Sequence, residues 1–369
     1  MCVEDSMIEP VRVGVVGTSW YPDFMHLPAL KSHEQAQIMS ICGRNQARVW
    51  DMAGKYGIPQ IFASYQEMMT RDLLDAVVVA APDDLHYGIT MAALDAGLHV
   101  LCENPMAFNL AQAREMLAKA QAAGVKHMTY FTWRWMPYMR LMQQLVQEGF
   151  IGECHDAQFE IFSDYAMDGK YQWKWDHAHG LGVLGDLGSQ VIDWAHFLVG
   201  DIKLVQARLS SRIARLHPDG LAYEPSNDSA SLMLQFANGA SGTIFTSAVV
   251  QVGRRGQVHR IQLSGAEGML EMVADALGYA VRGMRRGESE YQVFPIPKEF
   301  LAGSTPGSSV WDEMMQIFTY QSVGTRLFID CIIADCPISP GFEEGLKVQA
   351  VLEAAMVSGE NACWAEVEA

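Results

Sequence analysis

The stretch VRVGVVGTSW, residues 11–20, is a run of β-branched residues that ends in glycine and passes into small polar residues. A run that is apolar on both faces reads as a strand buried in a parallel sheet. The chain then repeats the pattern. HLPALKS continues in helical period, and AQIMSICGRN (36–45) is a second strand. QARVWDMAGKYG is a helix that stops at Gly57. DAVVVAAP (75–82) is a third buried strand, YGITMAALDAG a helix ended by Gly97, and HVLCE a fourth strand. NLAQAREMLAKAQAAG (109–124) is a helix with Asn109 as its cap, and KHMTYFTW is one more strand. Strands alternating with helices mark βαβ units. Residues 1–126 therefore read as an α/β, doubly wound nucleotide-binding domain.

After Pro137 the pattern changes. A helix, YMRLMQQLVQEG, precedes strands of period two: ECHDAQFEIFS, LVQARLSSRI and ASLMLQFANGASGTIFTSAVV. Asn238-Gly239 splits the last of these into two arms, a hairpin signal. HRIQLSGAEGMLEMVAD adds a strand pair, residues 276–310 show weak periodicity, and RLFIDCIIADC and GFEEGLKVQAVLEAAMVSG close the chain as helices. Residues 127–369 thus read as an α+β domain with a mainly antiparallel sheet.

A chain of 369 residues is long enough for two domains, each with its own core. A net charge of −17 disfavours polyanionic partners, so no nucleic acid is expected. The basic clusters GRRGQVHR (253–260) and RGMRRGE (282–288) read as solvated hairpin faces. The N-terminus has neither the basic nor the apolar region of a signal peptide, and no apolar run is long enough to span a membrane. The seven cysteines are scattered, and the spacing of Cys331 and Cys336 matches no usual zinc or redox pattern. Reduced thiols and a cytoplasmic location are expected.

Several stretches carry a resemblance to the glucose–fructose oxidoreductase / inositol dehydrogenase / rhizopine catabolism family. They are VGVVGTSW, DAVVVAAPDDLH, AALDAGLHVLCENP, WRWMP, GDLGSQVIDWAHFLVG, FANGASG and GFEEGLKVQAVLEAA, in the family's order and spacing. The resemblance implies an N-terminal Rossmann domain and a C-terminal α+β domain with a large open sheet. It also implies NAD or NADP, a sugar, polyol or related small substrate, and a homodimer or homotetramer formed through that sheet.

The nucleotide loop departs from the pattern G-x-G-x-x-G. In Gly17-Thr18-Ser19-Trp20-Tyr21-Pro22 only Gly17 survives, although Ser19 is small and Pro22 suits a first helical turn. Asp23 would repel a phosphate placed there. An ordinary strand-to-helix turn would look the same, but the surrounding βαβ pattern favours a cofactor. Its expected contacts are Gly17, Thr18, Ser19, Trp20, Gly43, Arg44, Ala81, Pro82, His86, Glu103 and Asn104. NAD sites usually place an acid after the second strand, and Cys42-Gly43-Arg44-Asn45 has none. Arg44 can pair with a 2′-phosphate, which favours NADP.

Relatives carry a lysine in Glu-Lys-Pro, and an aspartate and a histidine in Asp-x-Gly-x-His. Here the two motifs are Glu103-Asn104-Pro105 and Asp186-Leu187-Gly188-Ser189-Gln190. Asn104 and Gln190 keep hydrogen-bonding capacity and lose titration. Asp186 is expected as the surviving acid/base or orienting group, with Asn104 and Gln190 on substrate oxygens. Arg134 and the segment DGKYQWKWDHAHGLG, chiefly Trp173, Lys174 and His177, are expected on the substrate side. His177 and His179 lack an obvious third ligand, so no metal is expected. The expected function is an NAD(P)-dependent oxidoreductase on a sugar-like alcohol or carbonyl. The alternative is a non-catalytic NAD(P)- or sugar-binding sensor.

Overall fold

In the computed structural model, which describes residues 9–70 and 73–368, the opening run forms β1 (Val11–Val16) at the centre of a parallel sheet. Residues 1–8, where no signal peptide was expected, lie outside the described part. Five more strands join it: β2 (Ala36–Cys42), β3 (Gln60–Phe62), β4 (Ala76–Val79), β5 (His99–Glu103) and β6 (His127–Tyr130). Their order is β3-β2-β1-β4-β5-β6, all parallel. Strand β4 shows why such runs lack polar alternation. Ala76 and Val78 face one apolar cluster, Val77 and Val79 the other, and all four are buried.

The connecting helices are α1 (Trp20–Phe24), α2 (His26–Lys31), α3 (Gln46–Tyr56), α4 (Tyr65–Met69), α5 (Asp83–Asp95) and α6 (Leu110–Ala123). The local signals act as read from the sequence. Asn45 and Asn109 accept from the backbone N–H groups of Arg48 and Gln112, and left-handed Gly57 and Gly124 end the same two helices.

Beyond α7 (Pro137–Gln147) the chain builds a second sheet. Its strands are β7 (Cys154–Ser163), β8 (Ile202–Ser210), β9 (Ser229–Phe236), β10 (Ser241–Ser247), β11 (Gln257–Gly265), β12 (Gly268–Asp275), β13 (Gly278–Arg285), β14 (Gln292–Phe294) and β15 (Ala365–Glu366). The order is β14-β13-β12-β11-β7-β10-β9-β8-β15, antiparallel except for β7 with β10. Asn238-Gly239 makes the expected turn between β9 and β10. Leu232, Leu234 and Phe236 of β9 face the core, and Ser231, Met233 and Gln235 face outward. The helices α7, α8 (Ser189–Leu198) and α11 (Phe342–Asn361) cover the inner face.

The division at 126/127 falls before β6, which hydrogen-bonds to β5 and so completes the first sheet. Residues 276–310, which showed weak periodicity, contain β13 and β14 and lead into α9 (Val310–Tyr320). The last helices also return to the first sheet. The helix α10 (Thr325–Ile333) packs on α2, β1 and β5, and α11 packs on α6 and β6. Among the described residues no helix is long and apolar enough to cross a membrane.

Candidate active site

The strand order reverses between β1 and β4, and that is where the glycine turn lies. Gly17 has φ +129°, and a Cβ on it would sit 2.1 Å from the Ala80 carbonyl oxygen. Only glycine fits, because the two strand ends approach too closely for a side chain. The crevice outside such a reversal is where open α/β sheets take their ligands. Arg48 closes one side of the turn, donating from Nε to the Thr18 carbonyl at 2.6 Å. Asp23 does not point a free charge at the turn, because Lys55 Nζ lies 2.7 Å from its Oδ1 and Tyr56 Oη 2.9 Å away. Burial works against the Asp23 carboxylate, but these two donors outweigh it and hold its pKa below the usual range. At the end of β2, a Cβ on Gly43 would meet Thr18 Cγ2 at 2.6 Å, and the neighbouring Arg44 is exposed. The turn, the Gly43 contact and the exposed cation together fit a dinucleotide lying across the strand ends.

At the end of β5, Glu103 is buried and accepts from His26 Nε2 at 2.6 Å. His26 Nδ1 faces Thr325 Oγ1 at 2.7 Å, so both ring nitrogens are engaged. Burial nonetheless pushes the Glu103 pKa up. Tyr21 shares a short hydrogen bond with Thr132. Burial, then the negative field of Glu103, with a smaller push from Asp186, raises the Tyr21 phenol far above its usual value. Tyr21 therefore lies within the field of both carboxylates.

Asn104 is tied at both ends. Its Nδ2 donates to the Tyr130 carbonyl at 2.7 Å, and its Oδ1 lies 2.6 Å from Ser189 Oγ. It braces β5 to β6 and to α8. Gln190 is buried on α8, and its Oε1 has no hydrogen-bond partner among the described residues. An orphaned acceptor of this kind is costly unless something fills it. His86 turns its ring nitrogens to the carbonyls of Pro105 and Ala81, each at 2.8 Å, beneath the expected cofactor surface. Burial lowers its pKa. Arg134 is buried as well. It makes a two-pronged pair with the fully buried Asp193, and its guanidinium stacks 4.4 Å from the Phe197 ring.

Asp186 lies on one widened helical turn, Leu184–Gly188, that leads into α8. Such turns often occur at functional sites. Its Oδ2 accepts from Lys174 Nζ at 2.8 Å and from the Tyr165 hydroxyl through a short bond. The side chains of Asp186 and Lys174 are 31% and 20% exposed, so solvent reaches the pair from one side. Asp83, in the first turn of α5, abuts this group: a Cβ on Gly185 would lie 3.6 Å from its Oδ2. Burial, then repulsion from Asp186, pushes the Asp83 carboxyl well above its usual value, and Lys174 opposes the shift. Trp173 adjoins Lys174 on the same short turn. His177 instead lines a separate groove with Leu181, Ser210 and Asn227, and His179 pairs with Asp84 at 2.8 Å.

Sequence reading did not single out Asp83, Tyr165 or Tyr21 as site residues. Asp83 follows Pro82 at a helix start, where an acid usually serves the helix dipole. Periodicity marks neither tyrosine.

Comparison with known proteins places these features in a family. Residues 11–131 match the profile of an oxidoreductase family with an NAD-binding Rossmann fold, and residues 139–271 match the GFO/IDH/MocA C-terminal domain. An uncharacterized oxidoreductase of Synechocystis sp. is 29% identical over 282 residues, 74% of this chain and 75% of its own. The trans-1,2-dihydrobenzene-1,2-diol dehydrogenase of Mus musculus is 29% identical over 262 residues, 71% of this chain and 73% of its own. A levoglucosan dehydrogenase solved with NADH and levoglucosan superposes with a TM-score of 0.86 at 21% identity. That match covers 98% of this chain and 100% of the other, and at this identity it speaks to the fold. With the first sheet, and the second as far as β12, matched by consecutive profiles of one family, the chain belongs to the Gfo/Idh/MocA oxidoreductases, whose N-terminal part is an NAD-binding Rossmann fold.

Proposed function

We propose that this chain is an NAD(P)-dependent dehydrogenase or reductase acting on a secondary alcohol, or its carbonyl, in a sugar, polyol or diol. One observation carries the reading. A glycine turn with room only for backbone lies on the same sheet edge as a half-buried carboxylate cluster of Asp186 and Asp83. Gly17, Thr18, Ser19 and Trp20 hold the pyrophosphate, Gly43 and Arg44 the adenosine end, and Ala81, Pro82, Glu103 and Asn104 the nicotinamide side. When bound, the dinucleotide supplies the hydride acceptor or donor. The remaining work falls to side chains. Gln190 offers its orphaned Oε1 to a substrate hydroxyl. Asp186 orients the reacting oxygen, with Trp173 and Lys174 beside it.

The missing acid at 42–45 and the exposed Arg44 support NADP. The outer face of the second sheet, with Met233 54% exposed, supports a homodimer or homotetramer. A second reading, a non-catalytic sensor, draws on Asn104, which cannot titrate and is occupied at both ends.

The test is titration of the protein with NADH and NADPH by nicotinamide fluorescence, followed by a panel of sugars, polyols and diols. Micromolar binding, tighter for NADPH, is expected, with turnover of at least one panel member. Arg44→Ala should weaken NADPH by roughly tenfold, the size of one charge-assisted contact, and leave NADH unchanged. No binding of either dinucleotide rejects the reading. Binding without turnover across the panel favours the sensor.

A further inference from the structure

Proton transfer must accompany hydride transfer when an alcohol becomes a carbonyl. Most polar groups at the strand ends are unsuited to it. Asn104 and Gln190 do not titrate. Glu103 is engaged by His26, and His86 by two backbone carbonyls. Lys174 is different. Its ammonium lies 2.8 Å from Asp186 Oδ2, on the oxygen that also accepts from Tyr165. Solvent reaches it, yet it is walled by aromatic rings: Tyr165 at 5.5 Å, and Trp173 and Trp175 at 6.0 Å.

The backbone that carries Lys174 is fixed. A Cβ on Gly180 would meet Lys174 Cα at 2.6 Å, so the loop doubles back against it. The adjoining Trp175 is fully buried, stacks on Tyr165 at 5.8 Å, and lies under the Arg215 guanidinium at 4.7 Å. Arg215 is itself anchored by the buried Asp228 at 3.1 Å. This packing aims one amine at one carboxylate with little freedom left, as a proton-transfer group requires.

We propose that Lys174 exchanges the proton with the substrate oxygen, and that Asp186 and Tyr165 position it. The inference rests on the dehydrogenase reading above. In the oxidising direction the substrate C–H bond breaks, and its electron pair leaves as hydride to an oxidised nicotinamide dinucleotide. The C–O bond becomes double. The hydroxyl proton passes to the neutral ε-amine of Lys174, and the resulting ammonium, stabilised by Asp186, returns it to water. Reduction runs the same transfers backward. The charged and titratable groups facing the amine are Asp186 from the widened turn, Tyr165 from beyond β7, and Asp83 from α5. Asp84 lies behind Asp83, and Arg215 behind Tyr165.

The experiment combines kinetics with chemical labelling of the full-length protein. Lys174→Arg keeps the cation but holds a guanidinium that does not give up its proton. It should lower kcat at least ~100-fold, with NADPH binding and melting temperature unchanged, and should abolish the pH-dependent limb of the rate. Independently, competitive acetylation with acetic anhydride, read by mass spectrometry, gives the titration curve of the Lys174 amine. In the wild type this curve should coincide with the kinetic limb. In Asp186→Asn both should move together to lower pH, because an ammonium without its anionic partner loses its proton more easily. A Lys174→Arg protein with wild-type rate and pH profile overturns the inference, as does a labelling curve that does not follow the limb. Failure of the wild type to bind either dinucleotide overturns the dehydrogenase reading and this inference together. Binding and turnover that survive Lys174→Arg overturn this inference alone.

Discussion

The chemistry of single residues here is set by burial and by what lies opposite. Asp83 is a carboxyl in a place solvent hardly reaches and within the field of a second carboxylate, and both effects favour its protonated form. An acid whose native pKa is raised contributes stability that is complete below its unfolded value, about 3.9, and is lost as pH rises through the native value. Asp83→Asn removes that dependence. Its melting temperature should match the wild type near pH 4 and exceed it by a margin that grows toward pH 8, followed by circular dichroism. A margin that stays the same at every pH would show that Asp83 is not shifted. Within the candidate site, the sequence offers a position only where a motif stands, as at Gly17, Asp186 and the segment holding Lys174. A role that depends on approach through space is not legible in it. Asp83 and Tyr165 meet Asp186 across 103 and 21 positions of chain, distances that no local pattern encodes.

Elements were readable in proportion to their length and the clarity of their ends. The helices α3 and α6 carry asparagine at the start and glycine at the end, and both begin and stop there. Strand β3 has three residues, too few to show a period, and went unseen between α3 and β4. Strand β13 alternates, but two glycines, Gly278 and Gly283, dilute its pattern. Arg134 stands in the turn after β6 and pairs with Asp193 of α8, so it joins the two layers. Burial pushes the Asp193 carboxyl up and the guanidinium opposes this, as expected for a pair out of solvent. Removing one partner leaves the other charge buried alone. Arg134→Met should cost about 3–5 kcal/mol by urea unfolding, and Arg134→Met with Asp193→Leu should recover most of it. A substrate-binding arginine would instead leave stability nearly unchanged and raise KM.

At the scale of the whole molecule, the two sheets are less separable than the change of pattern after Pro137 suggests. A parallel sheet must be covered on both faces. Both faces of the first sheet are covered in part by helices more than two hundred residues downstream. The helix α10 lies on β1 and β5, with Phe328 and Ile329 buried, and Phe342 of α11 enters the apolar cluster around Val100 and Ala113. Polar ties follow the same route. Thr325 meets His26, Ser32 donates to the Thr319 carbonyl at 2.8 Å, and Glu353 accepts from the Leu110 N–H at 2.7 Å. Thr325 also holds the histidine that engages Glu103, so the last helices support the candidate active site as well as the sheet. A fragment of residues 9–131 contains every strand of the first sheet and none of this cover. It should show no cooperative thermal transition and no NADPH binding, while the full chain shows both. A cooperative melt with retained binding would establish the first sheet as an independent folding unit, and would demote the contacts of α10 and α11 to a later docking step.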